Sequence, residues 1–249
     1  MRHVRFTDPA GAVRTGEWLG DGVAFAGDEY ALDEVDLLPP CEPTKLVCIG
    51  RNYADHAAEM DRDVPDEPMV FLKPPSALVR SGDTVQLPPQ SHEVHHEVEL
   101  VVVIGKEGKH ISQEAALDHV AGYAVGLDMT ARDLQTKAKE QRHPWSVAKG
   151  FDTFAPLGPI RPADEAEAPQ DLTLRLAVNG ETRQQASTNR LMFSVPALIQ
   201  HCSQIFTLSP GDLLYTGTPS GVGPVQDGDE LEASATGLDP LRVSVERIG

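Results

Sequence analysis

The chain has 249 residues, and 38 acidic against 21 basic side chains give a formal charge of 21 − 38 = −17 at neutral pH, histidines counted as neutral. That balance argues against a nucleic-acid partner, because phosphate recognition needs a positive surface. No apolar run approaches the ~20 residues that span a bilayer; the best candidate, Val98 to Ile104, is short and carries Glu99. Met1-Arg2-His3-Val4-Arg5 lacks the apolar core of a signal peptide, so a soluble, cytoplasmic protein is expected. Cys41, Cys48 and Cys202 cannot all pair and none stands in a C-x-x-C arrangement, which leaves them as small packing residues. Only seven of the 21 cations are lysine. An acid-rich, lysine-poor surface suits a salt-rich cytoplasm and equally an acidic enzyme at ordinary salt.

In chain order, the first forty residues alternate apolar and polar positions around Asp8-Pro9-Ala10-Gly11, the signature of short strands joined by turns. Residues 1–42 are therefore expected to form a small N-terminal β appendage, and 43–249 the main domain, opened by a buried strand at Leu46 to Ile49. Tyr53 to Met60 is compatible with a short helix. Asp61 to Pro68 reads as an exposed loop of the kind that forms lids. Val98 to Ile104 is the strongest strand, Ile111-Ser112 leads into a helix through His119, and Tyr123 to Leu127 is a further strand that turns into a helix near Thr130. Beyond Asp171 the pattern is mostly β: Leu174, Leu176 and Val178 alternate up to the hairpin turn Asn179-Gly180, and Leu241, Val243 and Val245 alternate near the end. One amphipathic helix interrupts it, capped by Ser194 with Pro196 in its first turn, burying Leu198, Ile199, Cys202, Ile205 and Phe206. The class is α+β with strands dominant.

The sharpest chemical feature is His96-Glu97-Val98-Glu99-Leu100. Glu97 and Glu99 stand at i and i+2 of an apolar strand, so both project from one face, where two anions repel unless a cation lies between them. Asp128 follows another apolar strand and completes an all-oxygen set of the type that holds Mg²⁺ or Mn²⁺. Paired surface acids are the alternative. His92, His95 and His96 offer a competing zinc site, but their spacing fits no standard zinc pattern.

His56 and Glu59, at i and i+3, form either an ordinary surface pair or a carboxylate-oriented imidazole able to activate water. Lys149, set between apolar residues and glycine, is a donor to developing negative charge or a snorkelling surface residue; Lys73 resembles it. Arg132 and Gln135 follow Asp128 at the start of a helix. Thr216 to Gly223 is glycine-rich but lacks the ending of a phosphate-binding loop and the spacing of a nucleophile elbow. Its backbone amides and the Thr218 hydroxyl could hold a small carboxylate; otherwise it is a tight turn.

Taken together, Gly50-Arg51-Asn52-Tyr53 with His56 and Glu59, Phe71-Leu72-Lys73-Pro74, His96 to Leu100, Gly122 to Gln135, Lys149-Gly150 with Asp152, Asn179-Gly180-Glu181, and Pro210-Gly211-Asp212 with Thr216 to Gly223 resemble the fumarylacetoacetate hydrolase family. The resemblance implies a mixed β-sandwich roll, a homodimer, and Mg²⁺ or Mn²⁺ held by Glu97, Glu99 and Asp128. It implies an enzyme acting on a small 2-oxo acid: an acylpyruvate hydrolase, an oxaloacetate decarboxylase or a hydroxydienoate isomerase. In that reading His56, Glu59, Lys149 and Gln135 are catalytic, and Arg51, Tyr53, Lys73, Arg132, Gly217 and Thr218 contact substrate. A non-catalytic protein that binds a cation and a dicarboxylate is the reading from another class. Asp61 to Glu67 and Gln184 to Leu191 are the expected specificity walls. Many relatives carry Asn where this chain has Leu127, which is expected to be a packing difference.

Overall fold

The computed structural model describes residues 3–54 and 66–249, which divide into two compact units, Met1–Glu42 and Pro43–Gly249. The first unit is an antiparallel five-stranded sheet in the order Asp28–Ala31, Gly22–Phe25, Val13–Trp18, His3–Thr7, Asp36–Leu38. Its strands are half-solvated, and Phe6, Val23 and Val35 form a core of their own.

In the second unit a large mixed sheet runs Met69–Lys73, Leu46–Gly50, Leu213–Tyr215, Val98–Ile104, Val120–Leu127, Ala155–Leu157, Leu78–Arg80. A five-stranded sheet runs Glu181–Ser187, Thr173–Val178, Glu230–Ala235, Leu241–Arg247, Thr84–Leu87. Val98–Ile104 is buried along its whole length, which is why it reads as a continuous apolar run. One of its faces, Val98, Leu100, Val102 and Ile104, enters the main core with Leu174, Leu176, Val243 and Val245 of the other sheet. Glu99 lies on the opposite face by strand alternation. Asn179 and Gly180 both have positive φ, 51° and 81°, as a two-residue primed hairpin turn requires. No helix among the described residues is long and apolar enough to cross a membrane.

Three expected elements differ. Instead of a helix from Ile111, only the 3₁₀ turn Ala116–His119 forms. The backbone before it is tied elsewhere, with His110 N–H donating to Ser203 O and Ile111 N–H to Ser203 Oγ. Thr130–Ala131 is a short strand paired with Val94–His96, and the helix begins at Arg132. The helix Val195–Ile205 buries Val195, Leu198, Ile199, Cys202 and Ser203, while Ile205 is 51% exposed. Ser203 takes the inward position because its hydroxyl caps the Ile111 amide.

The loops that reach the site are held by a buried aspartate. Asp212 precedes Leu213–Tyr215, which runs parallel to Leu46–Gly50. Its carboxylate accepts from Thr44 N at 2.9 Å, Thr44 Oγ1 at 2.7 Å, Lys45 N at 3.1 Å and Ser209 N at 2.8 Å, and pairs with the Lys45 ammonium. Burial pushes this carboxyl up, but the Lys45 side chain and the Ser209 and Thr44 donors outweigh it and hold the group below the ordinary aspartate value. A depressed folded pKa contributes stability above the unfolded value of about 3.9 and loses it as pH falls through the folded one. Asp212→Asn is expected to lower unfolding free energy by about 3 kcal/mol at pH 7, the low end for breaking a buried pair, with a smaller difference at pH 3. Denaturant midpoints at the two pH values measure this; equal losses at both would contradict it.

Candidate metal centre

Strand register assembles the acids. Val98–Ile104 and Val120–Leu127 pair antiparallel with Val98 opposite Leu127 and Glu99 opposite Gly126. Asp128 N–H donates to Glu97 O at 2.9 Å, which carries the ladder one step further and sets Asp128 beside Glu97. Glu99, two residues on, shares their face. Gly126 opposite it adds no side chain, and a Cβ there would stand 2.5 Å from Val101 Cγ2. Leu127 points into the apolar core, the packing role expected of it. One oxygen from each of Glu97, Glu99 and Asp128 lies within 4.8 Å of the other two, and the residues are only 5%, 1% and 1% exposed. Burial, then the charges of Asp128 and Glu97, push the Glu99 carboxyl well above the ordinary range.

Three cations pair with two of the acids, Glu97 and Asp128. Lys149 Nζ is 3.0 Å from Glu97 Oε2 and 2.5 Å from Asp128 Oδ2. Burial works against its charge, yet Asp128 and Glu97 hold its pKa above the usual lysine value, so it is an ammonium donor at neutral pH and not a base. Arg132 pairs with Glu97 through Nη2 and donates to Gln135 Oε1 through Nη1 at 2.8 Å. Since guanidinium only donates, Gln135 must present its oxygen there, which leaves its amide NH₂ for the cavity that it lines. The Arg132 Nε donates to His95 Nδ1 at 3.4 Å while His95 Nε2 meets Glu93 Oε1 at 2.8 Å. Burial and Arg132 lower the His95 pKa, which keeps that imidazole a neutral acceptor.

Lys73 is the third cation, and it is not among the residues that line the cavity. It is 1% exposed and lies behind the carboxylates. Its ammonium touches four oxygens: the carbonyls of Met129 at 2.9 Å, Lys149 at 2.7 Å and Phe154 at 2.7 Å, and Asp128 Oδ1 at 2.7 Å. Three N–H groups serve the three carbonyls, so Asp128 Oδ1 receives charge without a directed hydrogen bond, in keeping with its unsatisfied state.

The glycine-rich loop likewise supports the acids. Gly217, expected to contact substrate, donates its N–H to Glu99 Oε2 at 2.7 Å. At φ +101° and with Asn52 Cβ 2.7 Å from where a Cβ would stand, only glycine fits. The Thr218 hydroxyl donates to Val98 O at 2.9 Å and accepts from Gln184 Nε2 at 2.9 Å. Its proton is therefore already used, although the residue lines the cavity. Asn52 binds Thr216 O and both backbone groups of Phe193. Tyr53 is 2% exposed, and its hydroxyl has no hydrogen-bond partner among the described residues.

Gln184 is a participant that pattern reasoning missed. Its oxygen accepts from Val98 N at 3.0 Å and from His96 Nδ1 at 3.1 Å, and its NH₂ donates to Thr218 and to Pro219 O. It is buried to 1% in a strand of mostly exposed polar residues, so it is a brace and not a variable wall. His96 is spent on Gln184 and His95 on Arg132, so the histidines do not converge on zinc; among the described residues the acid triad is the one metal-type cluster.

A cavity of about 300 Å³ opens on these groups, at the small end for ligand sites. Glu97, Glu99, Lys149, Arg132, Gln135 and Thr218 meet there with Arg51, and Phe71, Met69 and Trp145 complete the wall. His56, Glu59 and the expected lid at Asp61 to Pro68 lie outside the described residues, apart from its end at 66–68, where Asp66 and Glu67 are exposed and Pro68 is half-buried.

Residues 45–246 match the family described as Fumarylacetoacetate (FAA) hydrolase C-terminal. The chain belongs to the fumarylacetoacetate hydrolase family. It is 48% identical over 204 residues to the mitochondrial oxaloacetate tautomerase of Arabidopsis thaliana, covering 82% of this chain and 92% of that protein. In three dimensions it is similar to the fumarylpyruvate hydrolase of Pseudomonas aeruginosa in complex with Mn²⁺ and pyruvate, with a TM-score of 0.80 and 42% identity over 86% of this chain and 92% of the other. It is also similar to 5-carboxymethyl-2-hydroxymuconate delta-isomerase of Mycobacterium smegmatis, with a TM-score of 0.86 and 39% identity over 100% of both chains. The strand-dominated fold is that of the family, whose members include hydrolases, isomerases and decarboxylases. Relatives include mitochondrial proteins, so kinship carries no cytoplasmic address.

The donor set fits a hard divalent ion. It offers three carboxylates and no sulfur or imidazole, as Mg²⁺ and Mn²⁺ favour. Glu99 has no ion pair among the described residues, its one hydrogen bond coming from the Gly217 amide. A buried anion without a cation is unfavourable by several kcal/mol, and a bound cation removes that penalty.

Proposed function

We propose that this chain is a Mg²⁺- or Mn²⁺-dependent enzyme that cleaves a carbon–carbon bond in a small 2-oxo acid, with acylpyruvate hydrolysis as its reaction. The observation that carries the reading is the meeting, in one small cavity, of Glu97 and Glu99 with a charged lysine and a donor-ready glutamine, with an Asp128 oxygen within 4.8 Å of theirs. A divalent ion held by Glu97, Glu99 and Asp128 would supply Lewis acidity to the 2-oxo acid group. Arg132 and Lys149 hold Glu97 and Asp128 in place and Lys73 lies beside Asp128, so a divalent ion added to these cations would draw an anionic substrate. The Gln135 amide donates to the oxygen that gains charge when water adds to the distal carbonyl. His56, with Glu59 three residues on in the sequence, is the proposed base that takes the proton of that water. The carbon–carbon bond then breaks with its electron pair passing to the pyruvate fragment, where the Lys149 ammonium stabilises the charge before the carbon is protonated.

A second reading, keto–enol tautomerisation of oxaloacetate, is favoured by the identity to the Arabidopsis protein; it needs the same anion-stabilising groups and no water. The two separate in one experiment. Acetylpyruvate and oxaloacetate are each followed by loss of enol absorbance and by coupled detection of pyruvate, with Mg²⁺, Mn²⁺ or EDTA. Pyruvate from acetylpyruvate, abolished by EDTA, is the expected result. Enol loss from oxaloacetate without pyruvate would establish the second reading, and no change with any divalent ion would leave a binding protein. The chain is further proposed to act as a homodimer, which a sedimentation mass of one chain would contradict.

A further inference from the structure

We infer that Phe71 is a positioning residue for the Lys149 ammonium, its ring face holding that charge where it meets an anionic group of the substrate. The inference rests on the reading above, in which the ammonium stabilises charge on the pyruvate fragment. Phe71 and Lys73 stand at i and i+2 of the strand Met69–Lys73, so both project from one face, and both reach Lys149. Lys73 Nζ donates to the Lys149 carbonyl at 2.7 Å, and the Lys149 ammonium lies over the Phe71 ring, 4.9 Å from its centroid. One strand therefore holds both the main chain and the charge of the same residue.

The ammonium has three N–H groups. Two are spent on Glu97 Oε2 at 3.0 Å and Asp128 Oδ2 at 2.5 Å, and no other oxygen accepts from it among the described residues. An aromatic face attracts an ammonium through its charge and requires no N–H. The ring therefore fixes the group while leaving its third donor for an oxygen in the cavity, which Phe71 and Lys149 both line. The ring is itself held, since Trp145 packs edge-on against it with centroids 5.8 Å apart at 62°. Lys149 N–H in turn donates to Trp145 O at 3.0 Å, across the single helical turn that ends in Lys149. Phe71, Trp145 and Lys149 thus close a triangle in which every side is a contact. Strand alternation separates this role from that of the neighbouring side chain: Leu72 is 43% exposed, whereas Phe71 is half-buried and Lys73 buried. An aliphatic side chain at 71 would fill part of the same wall but has no face of negative charge to set against the ammonium.

The test is calorimetric binding of oxalate, a dianion shaped like the enolate of pyruvate, to the Mg²⁺-loaded protein in a double-mutant cycle. Phe71→Leu is expected to weaken oxalate binding at least about fivefold, and Phe71→Tyr, which keeps the ring, by less than about twofold. In a Lys149→Met background Phe71→Leu is expected to cost less than about twofold, because the ring no longer has a charge to hold. A side chain that serves only as a wall would give the same loss in both backgrounds. Equal losses in the two backgrounds, or an unchanged affinity in Phe71→Leu, overturn the assignment. Should Lys149→Met not fold, Phe71→Tyr and Phe71→Leu decide between themselves, and equal losses in those two overturn it. No oxalate binding by the wild type would remove the reading above and this inference with it. Oxalate lacks the bond that the proposed reaction cleaves, so a failure of acylpyruvate turnover with the coupling intact would count against the reaction and not against Phe71.

Discussion

Glu99→Gln is expected to weaken divalent-ion binding by at least about 100-fold while raising the stability of the metal-free protein. The loss is set against outer-shell substitutions, which already weaken metal sites by 10- to 100-fold, and Glu99 would be a direct ligand. The gain follows from burial. Glu99 is 1% exposed and faces Asp128 and Glu97 without an ion pair among the described residues, so its charge opposes folding in the absence of metal. Glutamine is nearly isosteric and keeps an oxygen for the Gly217 N–H. Thermal unfolding reads both effects. At 1,000 times its dissociation constant an ion stabilises the wild type by about 4 kcal/mol, and the variant gains almost none of this while starting from a higher melting temperature without metal. A variant that binds Mg²⁺ as the wild type does, or that melts lower without it, contradicts the assignment.

Lys73→Met is expected to be the most destabilising single change near the site. Methionine fills the volume but leaves the carbonyls of Met129, Lys149 and Phe154 and the Asp128 carboxylate without their shared donor. Removing one partner of a buried pair costs about 3–5 kcal/mol, and each further unsatisfied buried acceptor adds about 1–3 kcal/mol where no water replaces the ammonium. A total of at least about 4 kcal/mol is expected from the denaturant midpoint at unchanged m value. Lys73→Arg should not restore it, because a planar fork does not fit four oxygens gathered around a single nitrogen. A loss below about 1 kcal/mol would show that the ammonium is not the knot that joins these segments.

The contrast between these two residues shows what a sequence reveals. Glu97 and Glu99 are legible because a two-residue spacing in an otherwise apolar strand is a local signal, and Asp128 because it ends the neighbouring apolar strand. Lys149 stands out as a lone cation between apolar residues and glycine. Lys73 gives the same local signal but serves a different purpose, since its acceptors come from residues 129, 149 and 154, brought together only by the sheet. Gln184 gives no signal at all, being one polar residue among many in Glu181–Ser187. The glycine-rich pattern places Thr218 and Gly217 at the site, but the use of their donors on Val98 and Glu99 depends on strand neighbours far away in sequence. The helix expected after Ile111 fails for a related reason, since Ser203 captures the amide that would have begun it. Local patterns place the chemistry, and long-range hydrogen bonds decide which face each group shows.

Anomalous diffraction from crystals soaked in Mn²⁺ would show where the ion sits. One strong peak per chain is expected among the carboxylates of Glu97, Glu99 and Asp128, absent in crystals of Glu99→Gln. No peak there, with the Lys149 ammonium still bridging Glu97 and Asp128 at saturating Mn²⁺, would contradict it.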